Sequence, residues 1–240
     1  MDTTSYLALS RQVSLQRHMT TIATNLANAS TSGYRAEHTV FEQLLQRVGE
    51  PGRVAFVQDV ALARDLGPGP IEQTGNPFDL ALDGDGYLSF ATPAGARYGR
   101  AGRLELDTDG RLVNAQGHPL LDDSGNPITL PADDRNISIG GDGTIAGRSG
   151  TIARIGIVGF AHEQALDRIG DGLLATSEAP VPATGTRVVQ GALEGSNVQP
   201  VTELTTMMDT VRAFEGTQRM IDTEHELQRQ AIERIVRVSS

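Results

Sequence analysis

Residues 25–36 read NLANASTSGYRA, and a run with helical spacing stops there, with polar Asn25 and Asn28 beside apolar Leu26. Upstream, Leu15, Met19, Ile22, Leu26 and Ala29 follow a 4,3,4,3 spacing, the 3.5-residue period of a coiled-coil seam. The spacing predicts a helix from about Thr4 to Asn28, roughly 37 Å long at 1.5 Å per residue. Ser30, Thr31, Ser32 and Gly33 then read as a stop and a turn. Gly33 is able to take the left-handed conformation that closes such a turn. Asn25 and Asn28, three residues apart, share one face next to Leu26.

The same period returns at the other end of the chain, through Leu204, Met207, Val211, Phe214, Gln218, Ile221, His225, Gln228, Ile232 and Ile235. The polar members Gln218, His225 and Gln228 are expected to fix register. Glu215 and Glu233 precede Arg219 and Arg237 by four residues, the favourable order on an exposed helix face. Gly216 interrupts the arm and costs about 1 kcal/mol relative to Ala. A lone amphipathic helix has nothing to pack on and is marginal in water, so each arm needs a partner: the other arm, or the arms of neighbouring molecules. Pairing within the chain predicts a stable monomer, and pairing between chains predicts an assembly.

Glycine and proline separate these arms from the interior. Of 27 Gly, only Gly33 precedes position 49 and only Gly216 follows position 200, and all 11 Pro lie between Pro51 and Pro200. The middle reads as short antiparallel strands joined by tight turns. Leu104–Leu106 turns through Asp107–Gly110 into Leu112–Val113, Leu120–Leu121 through Asp122–Pro127 into Ile128–Leu130, and Ile137–Ile139 through Gly140–Gly143 into Thr144–Ile145. Ile152–Phe160 is a further strand candidate, and Glu178–Thr186 looks like the connection out. Phe41, Leu44, Leu45 and Val48 have i, i+3, i+4, i+7 spacing and predict a short amphipathic helix. The fold class is α+β: long terminal helices pairing as a coiled coil, with a central, mainly antiparallel β domain, a sandwich or irregular barrel. Its divisions fall at 1–36 (helical arm and turn), 37–75 (connecting segment with the short helix), 76–186 (β domain), 187–200 (return connection) and 201–240 (C-terminal arm).

Charge and chemistry narrow the function. The formal net charge is −10, all 20 basic residues are Arg, and there is no Cys. An acidic chain lacks the basic face that nucleic acid requires. Without Cys there is neither disulfide, thiolate metal site nor cysteine nucleophile. The first residues lack a basic stretch followed by an apolar core, and no run of about 18 apolar residues occurs, so neither a cleaved signal peptide nor membrane insertion is expected. His162-Glu163 and His225-Glu226 begin like a zinc-protease motif, but Leu166 and Arg229 stand where the second His must be. Asp83-x-Asp85-x-Tyr87 lacks the ligands of a calcium loop, and Asp-Gly pairs are ordinary turn chemistry. No serine-nucleophile elbow, phosphate loop or dinucleotide fingerprint appears. With 4% aromatics and no Trp, a lined pocket is poorly supplied. Neither catalysis, cofactor nor metal is expected. A secreted β-rich module binding calcium or carbohydrate through its Asp/Gly loops is the alternative.

NLANASTSGYRA and the start MDTTSYLALS resemble the N-terminal signature of the flagellar basal-body rod and hook family. In the same order, NPFDLALDGDGYLSF, YGRAGRLELDTDGRLVNAQGHPLL and GALEGSNVQPVTELTTMMDTVRAFE are similar to segments of that family. The ALEGSNV wording, the NLANAST form and the length resemble its proximal-rod branch more than the longer distal-rod branch. The resemblance implies a non-enzymatic axial subunit: paired terminal helices facing the lumen of a tube, a β domain outside, and unfolded passage through the flagellar export apparatus without a cleaved signal. Implied partners are copies of itself and other proximal and distal rod subunits in the basal body. On that reading Leu15, Met19, Ile22 and Leu26 meet Leu204, Met207, Val211, Phe214 and Ile221, while Asn25, Asn28 and Asn197 bond across subunits and Gly33 closes the turn.

Overall fold

Both arms become long helices because they combine helix-forming residues with an interior nearly free of Gly and Pro. The structure, a computed structural model, describes residues 2–47, 53–131 and 137–238. Helix α1 spans Asp2–Ala27 and helix α2 spans Pro200–Val238, about 39 and 58 Å at 1.5 Å per residue. Pro200 opens α2 at the position where its missing N–H is harmless, and Glu203 in the first turn suits the positive end of the helix dipole.

The chain divides into two compact units. The first contains α1, α2 and residues Glu37–Arg64. Here the expected short amphipathic helix gives way to a strand pair: β1 (Glu37–Arg47) runs antiparallel to β2 (Arg53–Arg64), from Glu37↔Arg64 to Arg47↔Arg53. Phe41, Leu44 and Leu45 lie on β1, and Val48 lies outside the described residues. The spacing of so short an apolar run does not separate helix from strand. The β-branched and aromatic residues Val54, Phe56, Val57 and Val60, following Pro51-Gly52, supply a partner strand. The ladder shifts register between Val40 and Phe41, a bulge that divides it into a base and a distal part. Helix α1 packs against α2 and against both strands. Gln12 Nε2 donates to Gln218 Oε1 at 2.7 Å, whereas Asn25 Nδ2 donates to Glu203 Oε1 at 3.3 Å, so the two helices run antiparallel.

The second unit comprises residues 28–36 and 65–198 and is β-rich. Its largest sheet has six antiparallel strands in the order Asp167–Gly170, Leu173–Ala175, Gly95–Gly99, Tyr87–Thr92, Ile157–Gly159, Val181–Pro182. The expected hairpin Leu104–Leu106 with Leu112–Asn114 forms, as does Ser138–Ile139 with Thr144–Gly147. The turn 122–127 is closed by Asp122 N donating to Asn126 O. The expected strand Ile152–Phe160 is two strands, Gly150–Arg154 and Ile157–Gly159, in different sheets. They part at Gly156, where a Cβ would stand 2.5 Å from Asp122 O. No sheet among the described residues closes into a barrel. Leu80, Leu82, Leu88, Phe90, Leu112, Leu120 and Ile145 form the centre of the core. Tyr87, Tyr98 and Phe160 form a smaller cluster, with Tyr98 and Phe160 edge to face at 4.8 Å. Among the described residues, no helix is long and apolar enough to cross a membrane.

Candidate assembly surfaces

Among the described side chains of α2 the buried and half-buried positions are Glu203, Thr206, Met207, Thr210, Ala213, Phe214, Gly216, Thr217, Ile221, Glu224 and Gln228, and Glu203, Met207, Thr210, Phe214, Thr217, Ile221, Glu224 and Gln228 form one stripe along them. Their 4,3 alternation is the expected period, and Met207, Phe214 and Ile221 stand on it. Leu204 and Val211 do not: they are 49% and 38% exposed, one residue past buried Glu203 and Thr210. Polar side chains hold the inner positions because their bonds are met locally. The Thr210 and Thr217 hydroxyls donate to the carbonyls of Thr206 and Ala213 at 2.7 and 3.0 Å, and Glu203 accepts from Asn25. A buried polar group so bonded escapes most of its desolvation penalty. Of the polar seam residues, Gln218 does bridge the helices, while His225 is exposed.

The displaced apolar residues gather on the outside. Val201, Leu204, Met208 and Val211 lie at i, i+3, i+7 and i+10, on one helix face, and Val201 and Met208 are 79% and 57% exposed. On α1, Ile22 is buried and Leu15, Met19 and Leu26 are half-buried, whereas Leu9 and Val13 are exposed. Because α2 is 39 residues long and α1 is 26, an antiparallel pair starting at Asn25 and Glu203 leaves the last part of α2 beyond the reach of α1, and Leu227 there is exposed.

The asparagines expected to bond across subunits are engaged inside the chain. Asn25 is 1% exposed; its Oδ1 accepts the Glu37 N–H at 3.0 Å and its Nδ2 donates to Glu37 O at 2.8 Å. In the second unit, Asn197 Oδ1 accepts the Ala36 N–H at 2.7 Å, and its Nδ2 donates to Asp65 O and Gly67 O at 3.2 and 2.9 Å. Both amides therefore satisfy backbone groups of their own molecule. Asn28 is half-buried, and its Oδ1 accepts from Thr31 Oγ1.

The second unit also brings the two terminal signatures together. Gly33 has φ +68° and its N–H donates to Glu194 O at 2.8 Å; a Cβ on it would stand 2.6 Å from the backbone of Arg100 and Ala101. Tyr34 is buried beside Ala36 and Val198, with the Arg168 guanidinium 4.2 Å above its ring, a cation–π contact. Glu194, 1% exposed, accepts from Arg100 Nε at 2.5 Å and from the Gly69 N–H at 3.2 Å, with Arg35 Nη2 at 3.9 Å. The rest of the Arg100 guanidinium donates to the carbonyls of Leu82, Gly84 and Gly86. Burial, with the Arg100 charge beside it, lowers the pKa of Arg35. Sequence reasoning missed this cluster, although a Glu amid the apolar stretch Ala192-Leu193 is the signal that points to it.

The Asp-rich turns serve themselves. Asp107, Asp122 and Asp142 each accept backbone N–H groups of their own turn, and among the described residues no three metal-ligating side chains converge. An open groove of about 910 Å³ runs along Tyr98, Leu121, Ile155, Ile157 and Pro182.

Comparison with known proteins agrees with a chain of helical arms and a β-rich unit. Residues 189–234 match the family model described as the flagellar basal body rod FlgEFG protein C-terminal region, and residues 81–147 match the flagellar hook protein FlgE/F/G D1 domain. The chain is 36% identical to the flagellar basal-body rod protein FlgF of Caulobacter vibrioides, covering 100% of both chains. It is 32% identical to FlgF of Salmonella typhimurium, over 94% of this chain and 95% of that one, and 30% identical to the rod protein FlgG of Bacillus subtilis, over 92% and 95%. Signatures, arms and full-length likeness agree: the chain belongs to the flagellar basal-body rod and hook protein family.

Proposed function

We propose that this chain is a structural axial subunit of the flagellar basal-body rod, in its proximal part, and that its work is assembly. The arms 1–36 and 201–240 form the assembling part and residues 76–186 an outward domain. Copies of the chain and other rod subunits, proximal and distal, stack head to tail through contacts that do not close into a ring and so generate a helical tube. Within the tube α1 and α2 join a coiled-coil seam with the helices of neighbouring subunits, in the periplasmic space. The subunit reaches that place through the flagellar export apparatus.

The observation that carries this reading is the outward apolar face of α2, Val201, Leu204, Met208 and Val211. A contiguous exposed apolar stripe is unusual on a monomer and marks a surface that another molecule covers. The inner side of α2 mixes polar Glu203, Thr210 and Thr217 with half-buried Met207, Phe214 and Ile221. Val211→Asp tests the assignment. Val211 is partly exposed in the single chain, so the substitution is expected to change monomer stability by no more than about 0.5 kcal/mol. It is expected to abolish incorporation into basal bodies and motility; normal motility in the variant would overturn the proposal.

A further inference from the structure

Asn25, on α1, bonds to two other elements, β1 and α2, and uses both ends of its amide to do so. Its Oδ1 and Nδ2 bracket the N–H and C=O of Glu37, the first residue of β1, as a neighbouring strand does. The same Nδ2 reaches the carboxylate of Glu203 in the first turn of α2. An amide has one acceptor oxygen and two N–H donors, which is the set this position requires. Aspartate has the shape but no donor.

Glu37 begins a distinct block of the ladder. Four pairs, Glu37↔Arg64 to Val40↔Ala61, precede the bulge, and the Glu37 carboxylate lies 3.6 Å from Arg64 Nη2. Seven residues before Asn25, His18 Nδ1 meets Thr39 Oγ1 at 2.5 Å. A slip of one residue in this block moves every side chain to the other face and separates Glu37 from Arg64. We propose that Asn25 is a positioning residue that couples the first turn of α2 to the register of the β1–β2 base, so that docking of the C-terminal helix steadies a hairpin distant from it in sequence. The inference concerns one molecule and does not rest on the proposed assembly.

Hydrogen exchange on the full chain tests it, with Glu203 varied and the hairpin observed. The Glu203 side chain accepts from Asn25, so removing it breaks the link between α2 and that amide. Glu203→Ala is expected to speed exchange at residues 37–40 and 61–64 several-fold, while Glu203→Gln, which keeps an acceptor oxygen for Asn25, retains the wild-type rates. Asn25→Asp, with no donor and a carboxylate facing Glu203, is expected to speed the same amides about tenfold or more, the scale of a lost buried hydrogen bond. Wild-type rates in the hairpin of Glu203→Ala, or equal acceleration by Glu203→Gln, would refute the coupling. The Glu203 pair decides the matter even if Asn25→Asp fails to fold.

Discussion

Glu194→Gln isolates the charge that holds the signature cluster of the β-rich unit together. The substitution preserves shape and leaves an oxygen for the Gly69 N–H, which Glu194 accepts at 3.2 Å. It removes the anion from between Arg100 at 2.5 Å and Arg35 at 3.9 Å, all three side chains being 5% exposed or less. Breaking a buried pair by neutralising one partner costs about 3–5 kcal/mol. Two cations are left unbalanced here, although Arg100 keeps the carbonyls of Leu82, Gly84 and Gly86, which favours the lower end, about 3 kcal/mol. For a unit of roughly 140 residues, each kcal/mol lowers Tm by about 3–5 °C, so the expected loss is about 10–15 °C. Differential scanning calorimetry of the full chain reads it directly. Arg100→Met, which also strips three carbonyls of their donor, is expected to lower Tm further than Glu194→Gln does. A loss below about 3 °C for Glu194→Gln, or the reverse order of the two variants, would show that the cluster does not stabilise the unit in this way.

Two further predictions concern single turns. The Asp107 carboxylate is held below its ordinary pKa of 3.8, first by the Arg111 backbone N–H and then by the Arg111 guanidinium and the Asp109 N–H. A lowered folded-state pKa contributes stability that is complete above the unfolded value and lost as pH falls through the folded one. Asp107→Asn is therefore expected to flatten the acid limb of urea-midpoint against pH below about pH 4, and an unchanged limb would count against the assignment. In α2, a Cβ on Gly216 would meet only the Arg219 guanidinium at 4.0 Å. Gly216→Ala is expected to stabilise the helix by about 1 kcal/mol and slow amide exchange around it roughly fivefold; no slowing would place the weakness of that turn elsewhere.

How much of this was legible follows from how local each signal is. Turn chemistry is written in adjacent residues, so the hairpin around Asp107–Gly110 and the turn at Gly33 follow from Asp, Gly and their spacing alone. The extents of α1 and α2 follow from the exclusion of Gly and Pro. The β1–β2 pair is not legible in the sequence because neither strand declares itself singly: Phe41, Leu44 and Leu45 suit a helix until Val54, Phe56 and Val57 offer a ladder across Pro51-Gly52. The division of Ile152–Phe160 was hidden for a related reason. Its break depends on Gly156 admitting the backbone of Leu121 and Asp122, a contact more than thirty residues away in sequence.

The phase of α2 raises a harder question than its period. A search for a buried stripe assumes that apolar residues face the partner, and that assumption selected Leu204 and Val211 over Glu203 and Thr210. In a globular helix with one neighbour it is sound. A subunit that first folds and then stacks has two faces to cover on the same helix, and hydropathy does not say which face meets which partner. The inner face of α2 includes groups with directional requirements: Glu203 bonded to Asn25, and Thr210 and Thr217 bonded along the helix. Such groups specify one alignment at little gain in stability. The outer face holds Val201, Leu204, Met208 and Val211, which attract without direction and strengthen with area. On the proposed assembly this division is the useful one: the contact inside the molecule sets alignment, and a further hydrophobic gain is withheld until a neighbour arrives.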